Sequence, residues 1–245
     1  MSKNKPQFPG IALRQDTELG NSFPELEAAA VEGTSIPDLP ILPTTLAQLD
    51  ALLADDVVDL TALTNVVRSD LGLTIHLIRI TRNADWASRA VPRITEIVVG
   101  LGIKHLKAIV RDIPVLPTQP RDLRLLACVR FWMHAQLTGL ITEELASYRT
   151  NVNCEDSYIA GLLCQIGKLP ILLGWKIPEL ESSDVASLGG ALARAWGFPA
   201  ALQEVIDGDR RPTSPASQSL RQVVTAARDW VHLLELTTAN SGEPR

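Results

Sequence analysis

The 245-residue sequence predicts an all-α protein, a two-lobed multi-helix bundle, and three observations carry that prediction. The apolar share is 46%, enough to build a buried core in a chain of this length. Aromatic residues are few (five Trp, two Tyr, four Phe) while Leu, Ala, Val and Ile abound, which favours close-packed helices over a β-sandwich or barrel. Apolar residues also recur at helical spacing between recognisable start and stop signals.

Residues 1–35 read as an N-terminal arm laid on the main body. It is polar and irregular except for Ser22-Phe23-Pro24-Glu25, a capping box that opens a short helix closed by Gly33. The domain proper spans 36–239, with a tail at 240–245. Its first lobe, 36–113, begins with Pro37, Pro40 and Pro43 in an extended lead-in. Leu46, Leu49 and Leu53 then mark a helix up to Asp55-Asp56. Asp59 is placed to cap a second helix with Leu63, Val66 and Val67 inside, and a third runs from Leu71 to Asn83. After a loop around Trp86, Arg93–Val99 and Ile103–Asp112 form two helices that turn tightly at Gly100-Leu101-Gly102.

The stretch 114–120 is rich in proline and reads as a hinge, because no helix interior tolerates that density. The second lobe, 121–239, opens with a long helix from Asp122 to Arg149. Asp156 is expected to cap the next, which runs through Tyr158, Leu162 and Leu163 to Gly167; Pro170 suits the first turn of its successor. Asp184 caps a helix ending at Trp196-Gly197, Pro199 starts one closed by Gly208, and a final helix spans about Ser217 to Thr237. No internal repeat or low-complexity tract interrupts this order.

A net charge of −5 and a pI near 5.4 argue against a nucleic-acid-binding surface. The mild basic stripe Lys104, His105, Lys107 and Arg111 reads as a solvated helix face. No apolar run has a membrane span's length of roughly 18–20 residues, and the polar start MSKNKPQ lacks a signal core, so a cytoplasmic location is expected. Cys128, Cys154 and Cys164 match no zinc or disulfide spacing and read as reduced thiols. Neither metal nor cofactor is expected.

Two stretches carry more. Trp132-Met133-His134 lies in the long helix, and Ala160-Gly161-Leu162-Leu163-Cys164-Gln165-Ile166-Gly167-Lys168-Leu169 follows in the next. The second resembles the A-G-L-L-H-D-I-G-K stretch of the HD metal-dependent phosphohydrolases. There an adjacent His and Asp, with a His from the preceding helix, hold a metal whose activated water attacks a phosphate ester. Here Cys164 and Gln165 occupy those two positions, and a neutral carboxamide is a poor substitute for a charged oxygen ligand.

Further motifs resemble HDOD domains, HD-related output domains of bacterial signalling. Leu39-Pro40-Ile41-Leu42-Pro43 is similar to their L-P-x-L-P, Ile97-Val98-Val99-Gly100-Leu101-Gly102 to A-I-x-L-L-G, Phe131-Trp132-Met133-His134 to F-W-x-H, and Gly189 with Trp196-Gly197-Phe198-Pro199 to G-(x6)-W-G-L-P. The resemblance covers roughly Ile36 to Ala239. Where relatives carry further histidines, this chain has Val185, Asp209 and Arg210, so His134 alone remains of the possible histidine ligands.

The resemblance implies a non-enzymatic regulatory module that binds a protein partner or a small signal. Its relic cleft would hold His134, Cys164, Gln165 and Lys168. Gln165 and Lys168 suit a phosphorylated ligand such as a nucleotide second messenger, although Lys168 equally complements a helix C-terminus. Cys164 reads as a buried structural thiol, with a Lys168-assisted redox sensor as the alternative. His134 reads as packed or hydrogen-bonded, and His76, His105 and His232 as surface or boundary residues. The enzymatic alternative is a divergent metal-dependent phosphohydrolase using Cys164, His134 and a carboxylate such as Asp156 or Asp184.

Overall fold

The computed structural model describes residues 12–14, 36–55, 57–80, 91, 93–117, 123–175, 184–208 and 211–241. The Ser22–Glu25 capping box, Trp86, residues 118–120 and Asp209-Arg210 lie outside them. The fold is all-α, apart from one short ladder in which β1 (Ala12–Arg14) pairs antiparallel with β2 (Val57–Asp59), Leu13 opposite Val58. None of the described helices is long and apolar enough to cross a membrane.

Local signals explain most element ends. α1 (Pro43–Ala54) starts on a proline whose missing N–H is not needed there, and buries Thr45, Leu49 and Leu53. α2 (Leu60–Ser69) is capped by the Asp59 carboxylate, which accepts from the Thr61 and Ala62 amides at 2.8 and 3.1 Å. α3 (Leu71–Ile80) packs beside it. Residues Ile94–Asp112, here α4, bend at Gly102, whose φ of 71° only glycine adopts freely, so the two helices expected around Gly100–Gly102 meet there.

The proline-rich stretch begins as an extended strap on the first half. The Ile41 amide donates to the Pro114 carbonyl at 2.8 Å, and Leu116 donates back to the Ile41 carbonyl at 2.9 Å. Then follow α5 (Leu123–Ser147), α6 (Cys154–Leu163), a 3-10 turn (Ile166–Lys168), α7 (Leu169–Leu173), α8 (Val185–Ala195), α9 (Ala200–Ile206) and α10 (Pro215–Ser241). Asp184 caps α8 as expected, its carboxylate accepting from Ala186 and Ser187. One expectation is corrected: Asn153, not Asp156, caps α6. The Asn153 side-chain oxygen accepts from the Asp156 amide at 3.1 Å, and Asp156 instead sits with Glu155 in the first turn, where negative charge meets the positive end of the helix.

A single buried cluster crosses the boundary at 114–120, joining Leu63, Ile75 and Ile97 to Trp132, Leu163 and Val224. Two polar joints accompany it. Arg68 on α2 grips Glu143 on α5 with 2.8 Å bonds to both carboxylate oxygens and lies over the Tyr158 ring of α6, while the Tyr158 hydroxyl donates to the Arg68 carbonyl at 2.6 Å. Burial pushes the Tyr158 phenol up to about 12. The second joint is Asp70, fully buried between α2 and α3. One oxygen accepts from the Leu42 amide and the Thr45 hydroxyl, both at 2.8 Å; the other accepts from the Leu73 amide at 3.0 Å and the Trp132 indole at 3.4 Å. Burial pushes this carboxyl up, while its four donors pull it down.

Replacing Asp70 by Ala would strand two backbone amides, a hydroxyl and an indole in the core. Asp70→Ala is expected to cost about 3–5 kcal/mol, read as a lowered urea midpoint, with Asp70→Asn costing less because its oxygen still accepts.

Candidate functional site

α5 and α10 run antiparallel: Asn151, just beyond α5, donates to Ser219 near one end of α10, and His134 meets Glu235 near the other. α6 lies against α5 and delivers Cys164 and Gln165 at its C-terminal end. The 3-10 turn that follows is seated closely under α8, where a Cβ on Gly167 would collide with the Val185 carbonyl. These elements bring His134, Gln165 and Lys168 into one hydrogen-bonded chain.

His134 Nδ1 lies 2.8 Å from Glu235 Oε1, and its Nε2 lies 2.7 Å from Gln165 Nε2. The Gln165 Oε1 accepts from the Lys168 ammonium. An ammonium only donates, so the carboxamide oxygen faces Lys168 and its NH₂ faces the imidazole. His134 Nε2 must therefore accept, which puts the ring proton on Nδ1, donating to Glu235. The two ring nitrogens of His134 are thus both engaged, one donating and one accepting.

Cys164 is buried and takes no part in these three hydrogen bonds. Burial pushes its thiol up to about 11, against weaker pulls in the other direction from Arg228 and Lys168. The structural reading of Cys164 is the one its burial favours. Cys128 is buried as well and Cys154 half-buried. Asp184 is committed as the α8 cap, and Asp156 lies at the opposite end of α6 from Cys164. Val185 carries no donor. Among the described residues no group of three or more His, Cys, Asp or Glu is arranged to hold a metal ion. A protonated thiol, a carboxamide and an imidazole with both nitrogens engaged do not fit a hydrolytic metal.

Glu235 and Arg228 escaped sequence reasoning. They stand one heptad apart on α10, on a shared helix face, but their approach to residues of α5 and α6 spans too much sequence for a local signal. Of the other histidines, His105 is exposed and bonds the Leu101 carbonyl at 2.9 Å, and His232 is exposed. His76 is largely buried, and burial pushes its imidazole down. Trp132 and Trp196 are core residues, whereas Trp230 is exposed.

A family model described as HDOD domain matches residues 39–176, more than half of the chain. The chain belongs to the HDOD family. The match takes in His134, Cys164, Gln165 and Lys168 and ends before α8, so Arg228 and Glu235 lie beyond it. An uncharacterised protein of Treponema pallidum (strain Nichols) is 24% identical over 214 residues, covering 77% of this chain; the chain thus spans 40% of that relative's length. Among solved structures, the MmoQ response regulator of Methylococcus capsulatus superposes with a TM-score of 0.62 at 17% identity, covering 80% of this HDOD chain and 87% of that one. A virulence factor of Campylobacter jejuni (cj0248) gives 0.53 at 16% identity, covering 77% and 75%. Both likenesses concern the fold.

Thiol chemistry checks the burial of Cys164. At pH 8 the native protein is expected to react rapidly with a thiol reagent at Cys154 alone, with Cys128 and Cys164 reacting only on denaturation. The unfolded Cys164 thiol ionises near 9.0 and the folded one near 11, so the unfolded chain loses this proton first. Its contribution to stability is fully present below pH 9 and lost as the pH rises to 11. Cys164→Ser should flatten that part of the alkaline stability profile.

Proposed function

We propose that this HDOD domain is a cytoplasmic regulatory module of bacterial signal transduction, without catalytic chemistry of its own, that acts by binding a protein partner. Family membership supports the signalling part, as does the fold shared with a protein described as a response regulator. The non-enzymatic part rests on one observation. Both ring nitrogens of His134, the imidazole that an HD-type site would offer to a metal, are engaged by Gln165 and Glu235. With Cys164 protonated beside it, the relic site is a closed hydrogen-bond network rather than a set of open ligands.

The test is hydrolysis of cyclic dinucleotides and nucleoside phosphates by the full chain in the presence of Mn²⁺, Mg²⁺ or Fe²⁺. The expected outcome is no turnover above that of His134→Ala. A rate that His134→Ala abolishes would establish the divergent phosphohydrolase instead. The partner-binding arm is affinity capture from the source cells with reciprocal recovery of the same protein; repeated failure to recover one overturns it.

A second reading is favoured by the two cations that reach Cys164 from different elements, Lys168 and Arg228. On that reading the relic cleft receives a nucleotide second messenger. Ligand at 100 times its Kd would add about 2.7 kcal/mol of stability, several degrees in melting temperature for a chain of this size. A shift that Lys168→Ala and Arg228→Ala both diminish supports this reading, and no shift at millimolar cyclic dinucleotide or guanosine polyphosphate eliminates it.

A further inference from the structure

The helix that carries His134 is apolar on two opposite sides. One face of α5 is buried through Cys128, Phe131, Trp132, Ala135, Thr138, Thr142 and Ala146. On the far side Leu126, Met133, Leu137 and Leu140 lie exposed, at 57%, 63%, 39% and 49%. They recur at steps of seven, four and three residues, the seam spacing of a helix that pairs with another helix. A helix that is apolar on two opposite faces has a second face available for packing once the first is in the core.

The same seam carries two charges. Arg130 is four residues after Leu126, and Glu144 four after Leu140, so each takes the remaining seam position of its heptad. Both are exposed. Arg130 has no ion pair among the described residues, and Glu144 is met by the exposed Tyr148 hydroxyl at 2.8 Å. A guanidinium is well solvated where it stands, and at a seam position it can specify the orientation and identity of a partner.

We propose that α5 pairs with α5 of a second copy of this chain, antiparallel, about a two-fold axis near Leu137. That arrangement overlaps the helices from Leu126 to Tyr148, about 34 Å. It sets Leu137 against Leu137 and Met133 beside Leu140 of the second copy, and brings Leu126 toward the far end where Tyr148 stands. Arg130 then falls within one helical turn of Glu144 of the second copy, and the symmetry makes this ion pair twice. A parallel pairing would set Arg130 against Arg130 and Glu144 against Glu144, so the charges select the antiparallel form. The contact is self-complementary, as a two-fold interface requires.

A single helix pair is small beside the roughly 800 Å² per partner of a standard interface, so the assay belongs at about 1–100 µM. Sedimentation of the full chain across this range is expected to show a mass rising to twice 26.6 kDa. Arg130→Glu and Glu144→Arg should each weaken the dimer at least about tenfold, because each sets like charges opposite one another. An equimolar mixture of the two variants should regain the dimer, since every charge in the mixed pair then meets its opposite. Recovery on mixing also requires both variants to be folded. A wild type that stays monomeric, as it would if another protein covers this face, overturns the proposal. So does a single variant that dimerises as tightly as wild type, or a mixture that remains monomeric.

Discussion

The structure hangs on a buried carboxylate. Asp70 gathers donors from the lead-in to α1, from α1 itself, from the first turn of α3 and from α5, elements that otherwise meet largely through apolar side chains, with the exposed Arg79–Asp38 ion pair between the lead-in and α3 as a further polar contact. Apolar contact is non-directional and leaves a helix free to roll; a hydrogen bond to an indole does not. The Trp132 indole reaches Asp70 at 3.4 Å from a fully buried position and so helps set the rotation of α5. With about 100° between successive helical residues, that rotation decides what its neighbours do. Trp132 points into the core, His134 turns to meet Gln165 and Glu235, and Met133 between them is left facing outward. Core, site and exposed seam are three consequences of one anchored side chain.

The Arg68 joint sets where His134 and its hydrogen-bond partners lie along that helix. Arg68 binds Glu143 one face away from the core and stacks on Tyr158, whose hydroxyl returns to the Arg68 carbonyl. This closed circuit ties α2, α5 and α6 together at partly buried positions, where a charge-assisted bond from one guanidinium nitrogen to both carboxylate oxygens is worth more than at the open surface. α6 enters the site from this fixed end, so Gln165 arrives opposite His134 rather than a turn above or below it. The polar joints thus do for axial position what Asp70 does for rotation.

What was legible in the sequence was what acts over three or four residues. Asp59 and Asp184 cap the helices they precede, Gly102 makes the bend, and Cys128 and Cys164 are buried inside apolar runs. The resemblance to the HD and HDOD motifs, rather than periodicity, is what put His134, Gln165 and Lys168 in one place, and the structure joins them by hydrogen bonds. Asp156 misled because an acid inside a first turn and an acid at a cap look alike in sequence, and Asn153 three residues earlier supplied the actual acceptor. Asp70, Glu235 and Arg228 could not be found locally. Their partners lie far away along the chain, and a charged residue that will be buried or paired at long range looks, in one sequence, like any solvated one.

The side-chain types at 164 and 165 make sense once the network is considered without a metal. A carboxylate at 165 would present lone pairs both to Lys168 and to the accepting Nε2 of His134, and would be repelled by the imidazole unless the ring took up a proton. A carboxamide of nearly the same shape resolves the conflict, donating to the imidazole with one atom and accepting from the ammonium with the other, at no net charge. On the proposed reading, then, Gln165 is more than an absent ligand. It is the residue that lets positions 134 and 165 close on one another, while Glu235 of α10 engages the other nitrogen of the same imidazole.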